Sequence, residues 1–129
     1  MVAADTNVIV RLLVGDDKIQ FEKAKRLLQQ EKIFIATSVV LECEWVLRYA
    51  YHLQPAAIAQ AFQALFGLPN VTLQDQAVVA DAIAWHQQGM DFADALHLAA
   101  SRHCDSLATF DRKFIKAAKK ISPLNVEEP

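Results

Sequence analysis

The feature that most constrains the fold is the alternation of short apolar segments with longer segments of helical period. The apolar segments have the length and composition of buried strands and lie at residues 2–4, 33–36, 71–73, 106–110 and 124–126. Because parallel strands are covered by helices on both faces, they appear as continuous apolar runs. The alternation therefore predicts an α/β fold, with three α/β/α layers around a short, mostly parallel central sheet.

The intervening segments place apolar residues at helical spacing and begin with residues that cap helices. They predict helices at residues 8–13, 18–30, 38–51, 56–66, 76–88, 92–102 and 112–119. Caps are expected at Asp16 or Asp17, Thr37 or Ser38, Asp75 and Asp91. With 129 residues, 53% of them hydrophobic, the chain is predicted to form one ordered domain over residues 1–129.

Several classes of protein are disfavoured by composition. No apolar run reaches the roughly 18 residues of a membrane span, and Asp5 interrupts the region where a signal peptide would be apolar, so a cytoplasmic protein without membrane contact is expected. Cys43 and Cys104 lack metal-binding spacing and are expected to be core thiols. The formal net charge is −2, but cations collect at residues 18–32 and 112–120, where solvated helix faces are the simplest interpretation.

Four acidic residues lie just beyond predicted strands or in the first turns of the helices that follow them. They are Asp5, Glu42, Asp94 and Asp111. Since ligands bind beyond the carboxyl ends of parallel strands, these acids are expected to converge at one edge of the sheet. Each also has a structural explanation: Asp5 and Asp111 can cap helices, Glu42 can complete a capping box, and Asp94 can partner a cap.

Convergence would favour a metal site over capping. Two carboxylates about 5 Å apart at an effective dielectric of about 20 repel by roughly 3 kcal/mol, so four ionised acids together require a cation. Mg²⁺ or Mn²⁺ prefers such oxygen ligands and supports phosphodiester hydrolysis. An alternative metal pair, Asp94 with His97, is the weaker interpretation. Periodicity leaves open whether Glu42 or Glu44 faces the site, because both border the core stripe of their helix.

Four motifs, in this order and spacing, give the chain a resemblance to PIN-domain nucleases, and within them to VapC-type toxins of toxin–antitoxin pairs. The resemblance covers essentially the whole chain. The motifs are Ala4-Asp5-Thr6-Asn7, Glu42-Cys43-Glu44-Trp45-Val46-Leu47-Arg48, Asp91-Phe92-Ala93-Asp94-Ala95-Leu96-His97 and Ala108-Thr109-Phe110-Asp111-Arg112-Lys113-Phe114.

The resemblance implies a role for each acid. Asp5 and Asp94 would be the principal Mg²⁺ or Mn²⁺ ligands, Asp111 a further metal ligand or a water-orienting residue, and Glu42, rather than Glu44, the residue that orients water. The supporting polar residues would be Thr6, Asn7 and Thr109.

The resemblance also implies an activity and partners. The protein would be a metal-dependent endoribonuclease that cleaves single-stranded regions of RNA, such as tRNA or rRNA loops, through metal-activated water. Its partners would be RNA, a cognate antitoxin protein and a second copy of the chain. Exposed aromatic residues such as Trp45, Tyr49 and Trp85 are candidates for these interfaces, although core packing is the simpler role.

Two alternatives remain open at this point. One is a PIN nuclease of general RNA processing that has no antitoxin. The other is a non-catalytic RNA- or protein-binding domain in which the acids only cap helices. A small-molecule phosphohydrolase is disfavoured, because the chain has neither a DxD-type motif nor a phosphate-binding Gly-rich loop.

Overall fold

The structure, a computed structural model, describes all 129 residues. The chain forms two compact units, Met1–Gln76 and Ala77–Pro129. The prediction of a single domain over 1–129 stays a prediction. No helix is long and apolar enough to cross a membrane.

The first unit contains three strands and four helices. In chain order they are β1 Val2–Ala3, α1 Thr6–Val14, α2 Lys18–Gln30, β2 Ile33–Ile35, α3 Thr37–Tyr49, α4 Pro55–Phe66 and β3 Val71–Leu73. The strands form one parallel sheet in the order β1-β2-β3. The central strand β2 buries Ile33 and Ile35, as its apolar sequence predicts for a strand covered on both faces.

The second unit is built in the same way on a smaller scale. It contains α5 Gln76–Gln87, α6 Phe92–Ala100, β4 Ser106–Ala108, α7 Arg112–Ile121 and β5 Asn125–Glu127. The two strands pair in parallel. Its core includes Phe92, Leu98 and Phe114, which are almost completely buried.

The predicted fold class, a helix-rich α/β chain with short parallel sheets, is confirmed. The strands fall into two sheets instead of one central sheet, because β4 finds its hydrogen-bonding partner in β5. The strand predicted at 106–110 ends at Ala108, and Phe110 is 76% exposed.

Two local expectations were wrong. Ala36, which has no capping side chain, is the N-cap residue of α3, because the helix already begins at Thr37. The backbone N–H of Thr37 donates instead to Oε1 of Gln74 at 3.0 Å. Cys104 is exposed, since it lies in the turn that follows α6, whereas Cys43 is buried as expected.

Candidate active site

In the first unit, Asp5 lies where β1 has ended and α1 begins. It is the N-cap residue of α1, and one of its carboxylate oxygens, Oδ1, accepts the backbone N–H of Thr6 at 2.7 Å. The unpaired N–H groups of a helix N-terminus favour a negative charge there. The capping role expected of Asp5 is therefore confirmed, and its second carboxylate oxygen accepts no hydrogen bond.

The two glutamates of α3 occupy different environments. Glu44 is buried, and its Oε2 accepts a hydrogen bond from Nε of Arg48 at 2.9 Å. Glu42 is exposed and makes no hydrogen bond or ion pair, and the expected capping box with Ser38 is not formed. The carboxylate of Glu44 is thus committed to an ion pair, whereas that of Glu42 is available for chemistry.

The pKa of the Cys43 thiol is affected by both acids of this unit. Burial, together with the negative charges of Glu42 and Asp5, raises the pKa of Cys43 to about 12. Both carboxylates must lie within electrostatic range of this one thiol. Asp5 and Glu42 are therefore paired here by their common effect on this thiol.

A buried hydroxyl without a partner lies beside this pair. Thr6 Oγ1 is the only buried side-chain nitrogen or oxygen atom that has no hydrogen-bond partner. Leaving such a group unsatisfied costs about 1–3 kcal/mol, so it marks a place where a ligand or water is needed. Thr6 therefore fits the supporting role predicted for it, and Asn7 lies exposed at the next position.

In the second unit, Asp94 lies in the first turn of α6. Its backbone N–H donates to Oδ2 of Asp91 at 3.2 Å, which confirms Asp91 as the cap, while the half-buried Asp94 carboxylate accepts no hydrogen bond. Burial raises the pKa of Asp94, and the carboxylates of Asp91 and Asp111 add to this rise, whereas His97 lowers it. A carboxylate held in this way is short of compensating positive charge.

Asp111 is the second member of that pair. It is the N-cap residue of α7, where its Oδ1 accepts the backbone N–H groups of Lys113 at 3.0 Å and Phe114 at 3.1 Å. The hydroxyl of Thr109 accepts the backbone N–H of Asp111 at 3.1 Å. Thr109 therefore fixes the backbone of Asp111, which is consistent with its predicted supporting role.

The predicted acids thus occur as two pairs, Asp5 with Glu42 in the first unit and Asp94 with Asp111 in the second. Neither unit by itself contains three or more His, Cys, Asp or Glu side chains close enough to hold a metal ion. Each pair offers carboxylate oxygens, which a hard divalent cation prefers, and the pair in the first unit has the unsatisfied hydroxyl of Thr6 next to Asp5.

Sequence reasoning missed the electrostatic part played by two residues. Capping of α6 was the preferred role for Asp91, and its charge also acts on Asp94. Cys43 was expected only to fill the core, yet both acids of the first unit act on its thiol. Their positions in the sequence could have indicated these effects, because Asp91 is three residues from Asp94 and Cys43 is next to Glu42.

Comparison with known proteins identifies the family. The sequence model of the PIN domain family matches residues 2–120 of the chain. The chain belongs to the PIN domain family, whose members are typically nucleases.

The other comparisons are more distant. A search among curated proteins found no match. Among solved structures, the chain is similar to the crystal structure of Mycobacterium tuberculosis VapC20, described as a toxin that cleaves the sarcin-ricin loop. The sequence identity is 20%, the alignment covers 91% of this chain and 95% of that chain, and the TM-score is 0.46.

Proposed function

We propose that the protein is a Mg²⁺- or Mn²⁺-dependent endoribonuclease that cleaves single-stranded regions of RNA. The observation that carries the proposal, together with family membership, is that Glu42 and Asp94 accept no hydrogen bond and form no ion pair. Helix capping was the structural alternative for all four acids. The carboxylates of Asp5 and Asp111 do cap helices, whereas Asp94 takes part in a cap only through its backbone N–H. Glu42 takes part in none. The non-catalytic alternative therefore gives no role to the carboxylates of Glu42 and Asp94, which lie at family motif positions.

The proposed roles divide between the two kinds of acid. Asp5, Asp94 and Asp111 would hold the cation, and Asp5 and Asp111 would each use the oxygen that capping leaves free. A bound divalent cation would supply charge neutralisation at the scissile phosphate and a more acidic water. Glu42 would orient the attacking water by accepting a hydrogen bond from it. Thr6 and Asn7 would donate to phosphate or water, and Thr109 would position Asp111.

Cleavage is tested by incubating the purified protein with tRNA or rRNA fragments and Mg²⁺. Wild type is expected to release fragments with a 5′-phosphate and a 3′-hydroxyl, and Asp5→Asn should not, although Asn can still cap α1. Asp105→Asn, at an exposed turn position, is the matched control and should cleave like wild type. If Asp5→Asn releases the same fragments at the same rate, the nuclease proposal fails.

Metal binding is tested separately by titration calorimetry with Mn²⁺. Asp94→Asn should abolish the binding heat that wild type and Asp105→Asn show. Unchanged binding in Asp94→Asn would place the metal at other residues.

We further propose that the nuclease is the toxin of a type II toxin–antitoxin pair and forms a homodimer. This rests on the motif resemblance and on an exposed aromatic pair of α3: Trp45 is 51% and Tyr49 66% exposed, and their rings stack at 5.1 Å. Such aromatic surface is typical of protein interfaces. Induced expression should arrest growth, and co-expression of a protein encoded beside the gene should relieve it; growth unaffected by expression would favour ordinary RNA processing.

A further inference from the structure

Helix α7 carries five cations and no acid. They are Arg112, Lys113, Lys116, Lys119 and Lys120, all exposed. None of the five forms an ion pair, in a chain whose formal net charge is −2. Such a concentration of unpaired positive charge is the electrostatic pattern of a surface that meets an anion.

Helix stability does not explain the whole set. Lys119 and Lys120 lie in the last turn, where the helix dipole favours cations. Arg112 and Lys113 lie in the first turn, where the dipole opposes them by about 0.3–1 kcal/mol each. Their placement therefore disfavours the helix and calls for another role.

Three of the five cations share one groove. Arg112, Lys116 and Lys119 follow one another at four- and three-residue spacing, so they lie along one face of α7. With Ile115 they form one wall of a groove of about 530 Å³, whose other wall is β5 and the residue after it. We call this the α7–β5 groove. Lys113 and Lys120 do not line it.

Charge and position favour a single nucleic-acid strand as the occupant of the groove. Its cationic wall starts at the residue after Asp111, one of the proposed active-site acids. Glu127 and Glu128 on the opposite wall would hold a polyanion against α7. The apolar side of α7, with Phe114 and Ala118, is buried in the protein and is not available to enter a membrane.

Phe110 adds a feature specific to unpaired bases. It directly precedes Asp111 and is 76% exposed, the largest exposed fraction among the large hydrophobic residues. An exposed aromatic ring beside a cationic groove offers a stacking surface for a base, which an acidic peptide does not need.

Building on the nuclease function proposed above, we propose that the α7–β5 groove binds the backbone of single-stranded RNA next to the scissile bond. Arg112, Lys116 and Lys119 contact successive phosphates, and Phe110 stacks on an unpaired base. The groove would thereby deliver a single strand to the acids and disfavour a duplex, whose bases are already stacked.

The test measures binding of a fluorescent single-stranded RNA oligonucleotide by anisotropy in EDTA, over a range of salt concentrations. The double variant Lys116→Gln/Lys119→Gln should reduce the slope of log affinity against log salt by about 1.4, equivalent to roughly 25-fold weaker binding at 0.1 M salt. Lys113→Gln/Lys120→Gln, with the same charge change on the same helix, is the matched control and should bind within about threefold of wild type.

Phe110 is tested in the same assay. Phe110→Ala should weaken binding by about tenfold without changing the salt slope, because stacking releases no counterions. Ile19→Ala, which removes another exposed apolar side chain, should bind like wild type. Unchanged affinity in Phe110→Ala would overturn the stacking contact.

Other outcomes separate this proposal from the nuclease proposal. Equal losses in the two lysine double variants would overturn the groove, since only general charge attraction would remain. The groove would also be overturned if Lys116→Gln/Lys119→Gln bound RNA normally and lost only binding to poly-glutamate, which would indicate an acidic protein partner. If wild type shows the expected groove-dependent binding but does not cleave the RNA in Mg²⁺, the nuclease proposal fails and the groove stands.

Discussion

The two acid pairs have the same layout in different surroundings. In each pair one acid caps a helix that follows a strand, Asp5 for α1 and Asp111 for α7, and the other lies inside a helix without hydrogen bonds, Glu42 or Asp94. The pair in the first unit borders a buried thiol and an unsatisfied hydroxyl. The pair in the second unit borders a third carboxylate and an imidazole.

The acids that cap helices and the acids that lie inside helices differ in what they contribute to the fold. The capping acids contribute to folding, so their removal is expected to change stability and activity together. The helix acids contribute no hydrogen bond or ion pair to the fold, so their removal should change activity almost alone. The family motifs do not make this distinction, because they contain both kinds of acid.

The largest effect is expected at Asp94. Asp94→Asn should lower the initial rate of RNA cleavage in Mg²⁺ by at least about 100-fold, since it removes a proposed ligand of the cation. Its neighbour Asp91 caps α6, and Asn caps equally well, so Asp91→Asn should stay within about tenfold of wild type. Equal losses would mean that the two acids are functionally equivalent and that capping does not distinguish them.

The next largest effect is a difference in stability between variants of the two glutamates of α3. Glu44→Ala should lower the free energy of unfolding by about 2–3 kcal/mol, because it deletes a buried charge and leaves Arg48 without its ion-pair partner. Glu42→Ala should change it by less than about 0.5 kcal/mol and still abolish cleavage. Urea unfolding measures both. A large loss of stability in Glu42→Ala would show that this residue serves the fold.

A smaller effect is expected for the cap of α7. Asp111→Ala should lower the free energy of unfolding by about 1–2 kcal/mol, because two backbone N–H groups lose their acceptor. Asp111→Asn should retain most of that stability and still lose cleavage. If the Asn variant is as unstable as the Ala variant, the carboxylate charge, and not its hydrogen bonds, stabilises the helix.

The smallest effect concerns the charge of Asp94 in the metal-free protein. Burial and neighbouring carboxylates raise its pKa above the unfolded value, so its contribution to stability is present at low pH and is lost as pH rises through the folded pKa. In EDTA at pH 7, Asp94→Asn should therefore raise the free energy of unfolding, by less than about 1 kcal/mol given solvent screening.

A matched pH series checks this sign. The gain should shrink as pH falls through the raised folded pKa of Asp94 and should be absent below 3.8, the ordinary pKa of an aspartate. A destabilised Asp94→Asn at pH 7 would mean that Asp94 has a structural role.

Much of this arrangement was predictable because it depends on local rules. Apolar runs with capping residues placed α2 and β3 at their observed bounds, and the caps at Asp17, Asp91 and Asp111 follow from residue type and position. The acid positions follow from the same junctions between strands and helices.

The features that could not be predicted from the sequence depend on contacts between residues that are distant along the chain. The sequence gives Glu42 and Glu44 equivalent positions beside the core stripe, and they are distinguished by the burial of Glu44 and its ion pair with Arg48. Residue type says little about how a turn lies against the core, so Cys104 was expected inside and lies outside. The division of the strands into two sheets depends on which backbone each short strand finds as its partner.

The capping hydrogen bonds of Asp5 and Asp111 would also affect the side-chain entropy that is lost when the proposed cation binds. Each uses Oδ1 for backbone N–H groups, so its rotamer is fixed when the helix forms and Oδ2 is held in a constant direction. An unrestrained side chain would give up rotamer freedom on binding an ion, at a cost of about 0.5–1.5 kcal/mol. In this protein that loss has already occurred during folding, which would make the two aspartates preorganised ligands of the proposed cation.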